Sequence, residues 1–393
     1  MHSTAEEPER ACLVGVERSS GRDGWNEGSS LDELDLLAKT AGAEVVGRVS
    51  QRLDSPHPAT YVGKGKLEQI KSRRNSDGYT MVVFDDELSP SQQAKLEDAL
   101  QVKVLDRTAL ILDIFAMRAR TREGRLQVSL AQSEYLLPRL KGQWSHLERL
   151  GGRSGSPGAI GVRGPGETQI ETDRRLVRKR ITKLKSEIED VRKQRSLYRR
   201  RRQREGIPVV ALVGYTNAGK STLMRALTRD QDVFVENQLF ATLDPLTRRV
   251  QLDPLHPALL TDTVGFIQKL PTGLVAAFRA TLEELADAAV LLHVVDITHP
   301  EAARQSQTVE DTLRDLGLAD KLRVTALNKV DQLPDADGRP VRALEDVATF
   351  QESLAANVPG ALLISAEKHW GLDLLKSELV QVIDRAHEPA TVA

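Results

Sequence analysis

Val209-Val210-Ala211-Leu212-Val213 is an apolar run that leads directly into the pattern G-x-x-x-x-G-K-S at residues 214–221. Its β-branched residues predict a parallel strand buried on both faces, and Pro208 marks the start because proline cannot donate to a ladder. The two glycines of the pattern let the backbone turn tightly, with its N–H groups around a phosphate, at the start of a helix. A chance match would lack this context, so the stretch predicts a phosphate-binding loop at the centre of a sheet.

Two further stretches predict the ion that accompanies such phosphates. Lys220 is expected to reach the outer phosphates, and Ser221 offers a hydroxyl to Mg²⁺. In Asp262-Thr263-Val264-Gly265, which ends another apolar run, the aspartate can hold Mg²⁺ through water while the glycine N–H meets the γ-phosphate. Thr242 is the candidate for the second side-chain ligand, and we expect residues 240–244 to become ordered only when the γ-phosphate is present.

Two motifs at later strand ends indicate which base is bound. In Asn328-Lys329-Val330-Asp331, the aspartate carboxylate can accept from both N1–H and the exocyclic amine of guanine, whereas adenine offers no such pair. Ser365-Ala366-Glu367 can close over the base with backbone N–H groups. A metabolic P-loop enzyme such as a kinase is disfavoured, because it has no use for guanine selection.

The candidate site residues fall into three groups. The nucleotide-binding candidates are Gly214, Tyr215, Thr216, Asn217, Ala218, Gly219, Lys220, Ser221, Thr222, Phe240, Ala241, Thr242, Leu243, Asp244, Asp262, Thr263, Val264, Gly265, Asn328, Lys329, Val330, Asp331, Ser365, Ala366 and Glu367. The catalytic candidates are Lys220, Thr242, Gly265 and Asn217, and the metal ligands are Ser221, Thr242 and, through water, Asp262.

Composition restricts the class of protein. A chain of 393 residues that is 40% apolar predicts two or three globular domains. The single cysteine, Cys12, excludes an internal disulfide framework and reads as a small buried hydrophobe. The N-terminus lacks a signal-peptide pattern and no apolar run is long enough to span a membrane, so we expect a cytoplasmic protein. We also expect a monomer without a DNA partner.

Charge is strongly segregated along the chain. Residues 114–205 hold 24 basic and 10 acidic residues, whereas residues 1–113 and 206–393 are both net acidic. Basic side chains are concentrated after residue 171, although a solvated helix face normally mixes both signs. We therefore expect this middle segment to contact the phosphates of RNA. The candidate RNA-binding residues are Arg153, Arg163, Arg174, Arg175, Arg178, Lys179, Arg199, Arg200, Arg201 and Arg202.

The chain before residue 116 predicts a small α/β domain. Strands are expected at 12–16, 44–50, 81–84 and 102–105, with helices at 31–41, 91–100 and 106–115. Between them, Tyr61-Val62-Gly63-Lys64-Gly65-Lys66 opens a helix expected from Leu67. That turn could contact phosphate through its backbone and lysines, or it could be a plain tight turn.

Two apolar stripes with helical spacing occupy the middle segment. The first comprises Leu126, Leu130, Leu137, Leu140, Trp144 and Leu147, with a kink expected at Pro138, and the second comprises Val177, Ile181, Leu184, Ile188, Val191 and Tyr198, interrupted by Arg195. The connection at 151–168 contains seven glycines and two prolines. These features predict an antiparallel helical hairpin with a glycine-rich tip.

The C-terminal half alternates strands, expected at 209–213, 250–252, 258–262, 290–295, 322–327 and 361–364, with helices. The predicted fold is therefore α/β: a P-loop domain with a mostly parallel sheet and helices on both faces, preceded by a small α/β domain and the hairpin. The expected boundaries are 1–115, 116–205 and 206–386, followed by a short tail at 387–393.

These motifs resemble those of the translation-factor-related GTPases, and more closely those of the HflX family in the Obg/HflX-like group. The nucleotide motifs alone would indicate only a GTPase, but residues 161–175 resemble the family's glycine-rich signature and residues 61–66 its N-terminal one. The resemblance covers nearly the whole chain. It implies GTP and GDP as ligands, binding to the large ribosomal subunit and its RNA, and splitting or rescue of stalled ribosomes. An RNA-binding assembly or stasis factor with little turnover is the alternative.

Hydrolysis is expected to be slow in the free protein. Many GTPases place a glutamine after the Asp-x-x-Gly glycine to orient the attacking water, but this chain has Phe266, which cannot hydrogen-bond a water and could instead pack beneath the loop. Asn217 resembles the asparagine of GTPases that recruit K⁺ beside the phosphates, where a cation offsets developing charge. K⁺, an arginine or an RNA group could each complete the site on the ribosome.

Overall fold

The computed structural model describes residues 8–18, 27–151, 165–204, 206–228, 239–269, 284–334, 339, 341–347, 358 and 360–387. These form two compact units, one from the described residues up to Arg192 and the other from Lys193 onward. The three domain boundaries expected from the sequence stay a prediction.

The first unit begins with the predicted alternation of strands and helices. The elements are β1 (Arg10–Arg18), α1 (Glu27–Thr40), β2 (Glu44–Leu53), α2 (Lys64–Asp77), β3 (Met81–Phe84), α3 (Pro90–Leu100), β4 (Lys103–Asp106) and α4 (Arg107–Arg118). Their sheet has the order β2-β1-β3-β4, and every pair is parallel. The small parallel α/β domain is thus confirmed.

Cys12 lies on β1 within the core of this unit and is fully buried. Burial raises the pKa of its thiol to about 11, with the nearby Arg73 opposing the shift. Because the thiolate is the reactive form, the raised pKa makes this cysteine a poor nucleophile at neutral pH. Its interpretation as a small buried hydrophobe is confirmed.

The glycine and lysine turn at 61–66 is anchored in the same core. Tyr61, with φ at 62°, is 5% exposed and packs edge-on against Phe84, with ring centroids 6.1 Å apart. The N–H of Gly63 donates to Gln51 Oε1 at 2.9 Å. Helix α2 begins at Lys64, three residues before the predicted start, because Gly63 already has the extended conformation of a cap. Phosphate contact by this turn stays a prediction.

Two long helices, α5 (Arg122–Gly151) and α6 (Pro165–Arg204), carry the two apolar stripes. Leu130 and Leu184, one from each stripe, are each 8% exposed. Lys185 Nζ lies 2.8 Å from Glu134 Oε1, so the helices lie side by side at this level. The expected tip of the hairpin, with Arg153 and Arg163, lies outside the described residues, and the kink expected at Pro138 stays a prediction.

A buried carboxylate fixes α5 to the sheet. Asp106 is fully buried, and its Oδ1 accepts from Ala109 N at 2.8 Å, which caps α4, and from the Tyr135 hydroxyl at 2.9 Å. Its Oδ2 accepts from Leu88 N at 3.1 Å and from Arg139 Nη2 at 3.2 Å. Because Tyr135 and Arg139 both belong to α5, one side chain joins a strand end, a helix cap and the long helix.

The second unit is the predicted P-loop domain. Its elements are β5 (Val209–Val213), α7 (Lys220–Thr228), β6 (Leu246–Gln251), β7 (Pro257–Asp262), β8 (Val290–Asp296), α8 (Ala302–Asp315), β9 (Arg323–Asn328), β10 (Leu362–Leu363) and α9 (Leu372–His387), with 3-10 turns at Val330–Gln332 and Leu344–Val347. The sheet order is β10-β9-β8-β5-β7-β6, with β6 antiparallel to β7 and the other described pairs parallel.

Several predicted strand boundaries were wrong by one to four residues, and the largest difference is at the start of β6. The strand expected at 250–252 is β6, which begins at Leu246. In its antiparallel pairing with β7, Leu246 lies opposite Asp262 and Gln251 lies opposite Pro257. Arg248 and Arg249 interrupt the apolar run on which the prediction rested. An edge strand tolerates such charged residues because one of its edges faces solvent.

The strand β5 lies inside the sheet, as its continuous apolar run predicts. Val210 and Leu212 pack on one face of the sheet, together with Leu223 of α7, whereas Ala211 and Val213 pack on the other face with Val309 of α8. Both faces are therefore covered, and the loop after β5 emerges at the carboxyl end of a buried strand. Among the described residues, no helix is long and apolar enough to cross a membrane.

Candidate nucleotide site

The loop between β5 and α7 forms one wall of a pocket, and its glycines are required by close contacts. Gly214 has φ of 152°, and a Cβ there would lie 2.3 Å from Val294 O. Gly219 has φ of 94°, and a Cβ there would lie 2.3 Å from Asn328 Nδ2. Residues from three stretches line the pocket: Thr216, Asn217, Gly219, Lys220, Ser221 and Thr222, then Phe240, Ala241 and Thr242, then Thr263 and Gly265.

Lys220 is held by main-chain carbonyls within this loop. It is 7% exposed, and its ammonium donates to Gly214 O at 3.1 Å and to Tyr215 O at 2.8 Å. Burial lowers the pKa of Lys220 to about 8, and the charge of Asp262 opposes this shift. A phosphate at this position would place negative charge beside the buried ammonium and so stabilise its protonated form.

The three predicted metal ligands lie together. Ser221 Oγ donates to Asp262 Oδ2 at 2.6 Å, Thr242 Oγ1 donates to the same oxygen at 2.9 Å, and the two hydroxyl oxygens are 3.0 Å apart. Asp262 is fully buried, and its Oδ1 has no hydrogen-bond partner among the residues that the structure describes. Burial raises the pKa of Asp262, while the nearby Lys220 lowers it. One carboxylate and two hydroxyls suit Mg²⁺, which takes most of its remaining ligands from water and phosphate, and a bound water could satisfy Oδ1.

The stretch 240–244 is divided between the pocket and the core. Phe240, Ala241 and Thr242 line the pocket, whereas Leu243 is 7% exposed and does not line it. Thr242 already lies against Ser221 and Asp262 in this structure. Whether the stretch becomes ordered only with the γ-phosphate stays a prediction.

Residues 265–268 lie against the phosphate loop. Thr216 N donates to Phe266 O at 2.8 Å, and Phe266 N donates to Gly214 O at 3.1 Å. The Phe266 side chain, 7% exposed, belongs to a buried cluster with Tyr215 and Leu285. Phe266 is therefore a core residue and offers no group to the attacking water. Val264 is likewise buried and does not line the pocket.

Asn328 links the phosphate loop to the loop expected over the base. Its Nδ2 donates to Ala218 O at 2.9 Å, and its Oδ1 accepts from Ala366 N at 3.0 Å. The side chain is 2% exposed, so both of its polar atoms are engaged within the protein. The sequence placed Asn328 among the nucleotide-binding residues, and the structure gives it a positioning contact as well.

The other base-side candidates follow the same strand ends. Lys329 has φ of 70°, and its ammonium donates to Asp296 Oδ2 at 2.6 Å. Asp331 is half-buried in a 3-10 turn, and Glu367 is exposed. Sequence reasoning missed Asp296, although a carboxylate that ends the buried strand β8 is the kind of signal that identified Asp262.

The candidate RNA-binding residues can be placed in part. Arg175, Arg178 and Lys179 are exposed on α6, and Arg174 is half-buried. Arg199–Arg202 lie within α6, but their side chains lie outside the description.

Comparison with protein families matches three consecutive models to the chain. Residues 28–116 match the GTP-binding GTPase N-terminal model, residues 118–202 the GTP-binding GTPase middle region, and residues 209–329 a model described as 50S ribosome-binding GTPase.

Comparison with curated proteins finds relatives that align over nearly the whole chain. The GTPase HflX of Lacrimispora saccharolytica is 51% identical over 96% of this chain and 82% of its own length. The GTPase HflX of Escherichia coli is 41% identical over 95% of this chain and 82% of its own length. Among solved structures, a GTP-binding protein from Sulfolobus solfataricus in complex with GDP is 24% identical over 96% of this chain and 99% of that chain, with a TM-score of 0.46.

Proposed function

Because the chain belongs to the HflX family of GTPases, we propose that it hydrolyses GTP to GDP and phosphate on the large ribosomal subunit, and that it thereby splits or rescues stalled ribosomes. The observation that carries this proposal is the presence of a basic helix and a nucleotide pocket in one chain. Arg175, Arg178 and Lys179 are exposed on α6, within a segment of strong positive charge. The third family model, with its description as ribosome-binding, supports the same partner.

Different residues of the pocket would bind different parts of GTP and its Mg²⁺. Backbone N–H groups of residues 214–219 surround the phosphates, and the Lys220 ammonium moves from its main-chain carbonyls to phosphate oxygens. Ser221 and Thr242 would hold Mg²⁺ directly, and Asp262 would hold it through water. Bound there, Mg²⁺ neutralises charge that develops on the phosphate oxygens. The Gly265 N–H is the donor that meets the γ-phosphate.

Guanine selection rests on Asp331, whose carboxylate accepts from N1–H and the exocyclic amine of the base. Asn328 supports that selection by joining the base side of the site to the phosphate loop at Ala218. The backbone N–H groups of residues 365–367 close over the base. A half-buried aspartate in the 3-10 turn that follows β9 can make these contacts without the cost of full burial.

Positioning of the attacking water requires a group other than Phe266. Asn217 is exposed, has φ of 61° and lines the pocket, so its carboxamide oxygen is available to a cation beside the phosphates. We assign K⁺ to this place. The arrangement would be complete only after docking on the ribosome. Hydrolysis by the free protein would therefore be slow.

The candidates on α6 would contact ribosomal RNA through its phosphate oxygens, which requires no base reading; they are Arg174, Arg175, Arg178, Lys179 and Arg199–Arg202. The protein then works as a cytoplasmic monomer with GTP, GDP and the large subunit as its partners.

Measuring GTP turnover with and without large ribosomal subunits tests the proposal. We expect turnover to rise at least about tenfold, a modest share of what activators achieve in other GTPases, with large subunits and not with small ones. Fast hydrolysis by the free protein would contradict the docking requirement. GTP binding and subunit binding without turnover would favour the alternative, an RNA-binding assembly or stasis factor.

A further inference from the structure

Arg195 interrupts the apolar stripe of α6 and forms a buried ion pair. Its Nη2 lies 2.6 Å from Glu284 Oε1, within the second unit. The side chains are 23% and 3% exposed, so the carboxylate is almost completely removed from water. A carboxylate buried to this degree depends strongly on its cationic partner. The position of Glu284 is therefore tied to α6.

The stretch that follows Glu284, residues 285–289, is held by hydrogen bonds further along. The Lys321 ammonium donates to Ala286 O at 2.5 Å and to Ala288 O at 2.6 Å. Ala289 N donates to Val209 O, at the start of β5, at 2.8 Å. With both ends held, a displacement of Glu284 acts on the residue between them, Leu285, which is 1% exposed.

Leu285 belongs to the same buried cluster as Phe266 and Tyr215. These two residues adjoin the nucleotide site, because Phe266 follows Gly265 and Tyr215 lies in the phosphate loop. Thr216 N donates to Phe266 O, so the backbone of the two loops is joined at this point. Packed side chains transmit displacement because the interior has little free volume. Arg195 is thus linked, through Glu284 and the cluster that contains Leu285 and Phe266, to residues that adjoin the nucleotide site.

We propose that Arg195 is a positioning residue for GTP hydrolysis, which couples α6 to the nucleotide site through Glu284, Leu285 and Phe266. The inference rests on the proposed function in one respect, because it takes the contact of α6 with ribosomal RNA as the event that changes the position of Arg195. Packed contacts transmit displacement in both directions, so we expect the bound nucleotide to alter the surroundings of Arg195 as well. That second consequence needs no ribosome.

The kinetic test compares Arg195→Gln and Glu284→Gln with the wild type. Both substitutions remove the ion pair, and Lys183→Gln is the matched control because it removes one positive charge from the same helix, where Lys183 pairs with Glu187 of that helix. We expect subunit-stimulated kcat to fall about tenfold in the two test variants, a typical coupling between linked sites. The subunit concentration at half-maximal rate and the affinity for labelled GDP should change by less than about twofold.

Two rescue variants separate coupling from a general loss of structure. Arg195→Lys retains a cation, and the double variant Arg195→Glu with Glu284→Arg restores the pair in reverse, so both should recover part of the stimulated rate. Equal stimulated rates in Arg195→Gln and the Lys183→Gln control would overturn the proposal. So would an equal loss of labelled-GDP affinity and kcat, since that pattern marks damage to the fold.

If large subunits do not stimulate the wild type, the proposed function fails. Amide hydrogen exchange then still tests the coupling between Arg195 and the nucleotide site. Exchange at residues 193–198 and 284–289 is compared between GDP and a non-hydrolysable GTP analogue. We expect a nucleotide-dependent difference at both segments in the wild type, and its loss at 193–198 in Arg195→Gln. Identical exchange with both nucleotides in the wild type would refute the coupling.

Discussion

GDP affinity should decrease as the pH rises from 7 to 9, because Lys220 loses its proton in the free protein. Burial lowers the pKa of its ammonium to about 8, and phosphate binds only the charged form. Bound phosphate raises that pKa again, so the contribution of the ammonium to affinity is complete below pH 8 and is lost as the pH rises through it. The charged fraction falls about tenfold between pH 7 and pH 9, which corresponds to a tenfold larger Kd, or about 1.4 kcal/mol.

Fluorescence titration with labelled GDP at pH 7, 8 and 9 measures this effect. Lys220→Arg is the control, because a guanidinium stays protonated throughout and its Kd reports every other titration, including that of guanine N1. The ratio of wild-type to control Kd should rise about tenfold over the range, whatever the absolute affinity of the control. A ratio that does not change with pH would show that Lys220 stays charged over this range, and that burial does not lower its pKa in the free site.

Three further predictions concern the base, the RNA and the cation. Asp331→Asn places a donor against a guanine donor and should weaken GTP binding by roughly 2–4 kcal/mol, with xanthine nucleotides tolerated better; unchanged GTP affinity would exclude Asp331 as the base reader. Replacing Arg199–Arg202 with alanine should weaken ribosome binding and reduce its salt dependence while nucleotide affinity stays the same, and unaltered binding at moderate salt would contradict the assignment. Ribosome-stimulated turnover should be faster in K⁺ than in Na⁺, and Asn217→Ala should remove that preference; equal rates in both salts would refute the K⁺ role.

The positions of the phosphate loop and of the candidate metal ligands could be predicted because each is a local pattern at or near the end of an apolar strand. Carboxyl ends of parallel strands meet at one edge of a sheet, so Ser221 after β5 and Asp262 at the end of β7 had to be close once both strands were recognised. Thr242 was placed by its position in the chain between them, and the structure puts its hydroxyl 2.9 Å from Asp262.

Contacts between distant residues could not be predicted in this way. The dual contact of Asn328 with Ala218 and Ala366, and the pair of Arg195 with Glu284, join residues that no local pattern relates. Arg195 was recognised only as a polar break in an apolar stripe. The missed start of β6 has a similar cause, because pairing with β7 determines where an edge strand begins and the sequence of β6 alone does not.

The order of strands in the two sheets also affects how the chain folds during its synthesis. In both units an early strand, β1 or β5, occupies an inner position, and one of its neighbours comes much later in the sequence: β3 at Met81–Phe84 and β8 at Val290–Asp296. During synthesis these apolar strands emerge long before both neighbours exist, and unpaired apolar strands promote aggregation. A nascent chain that ends before Val290 exposes one edge of β5, so we expect chaperone shielding during synthesis to raise the yield of this protein.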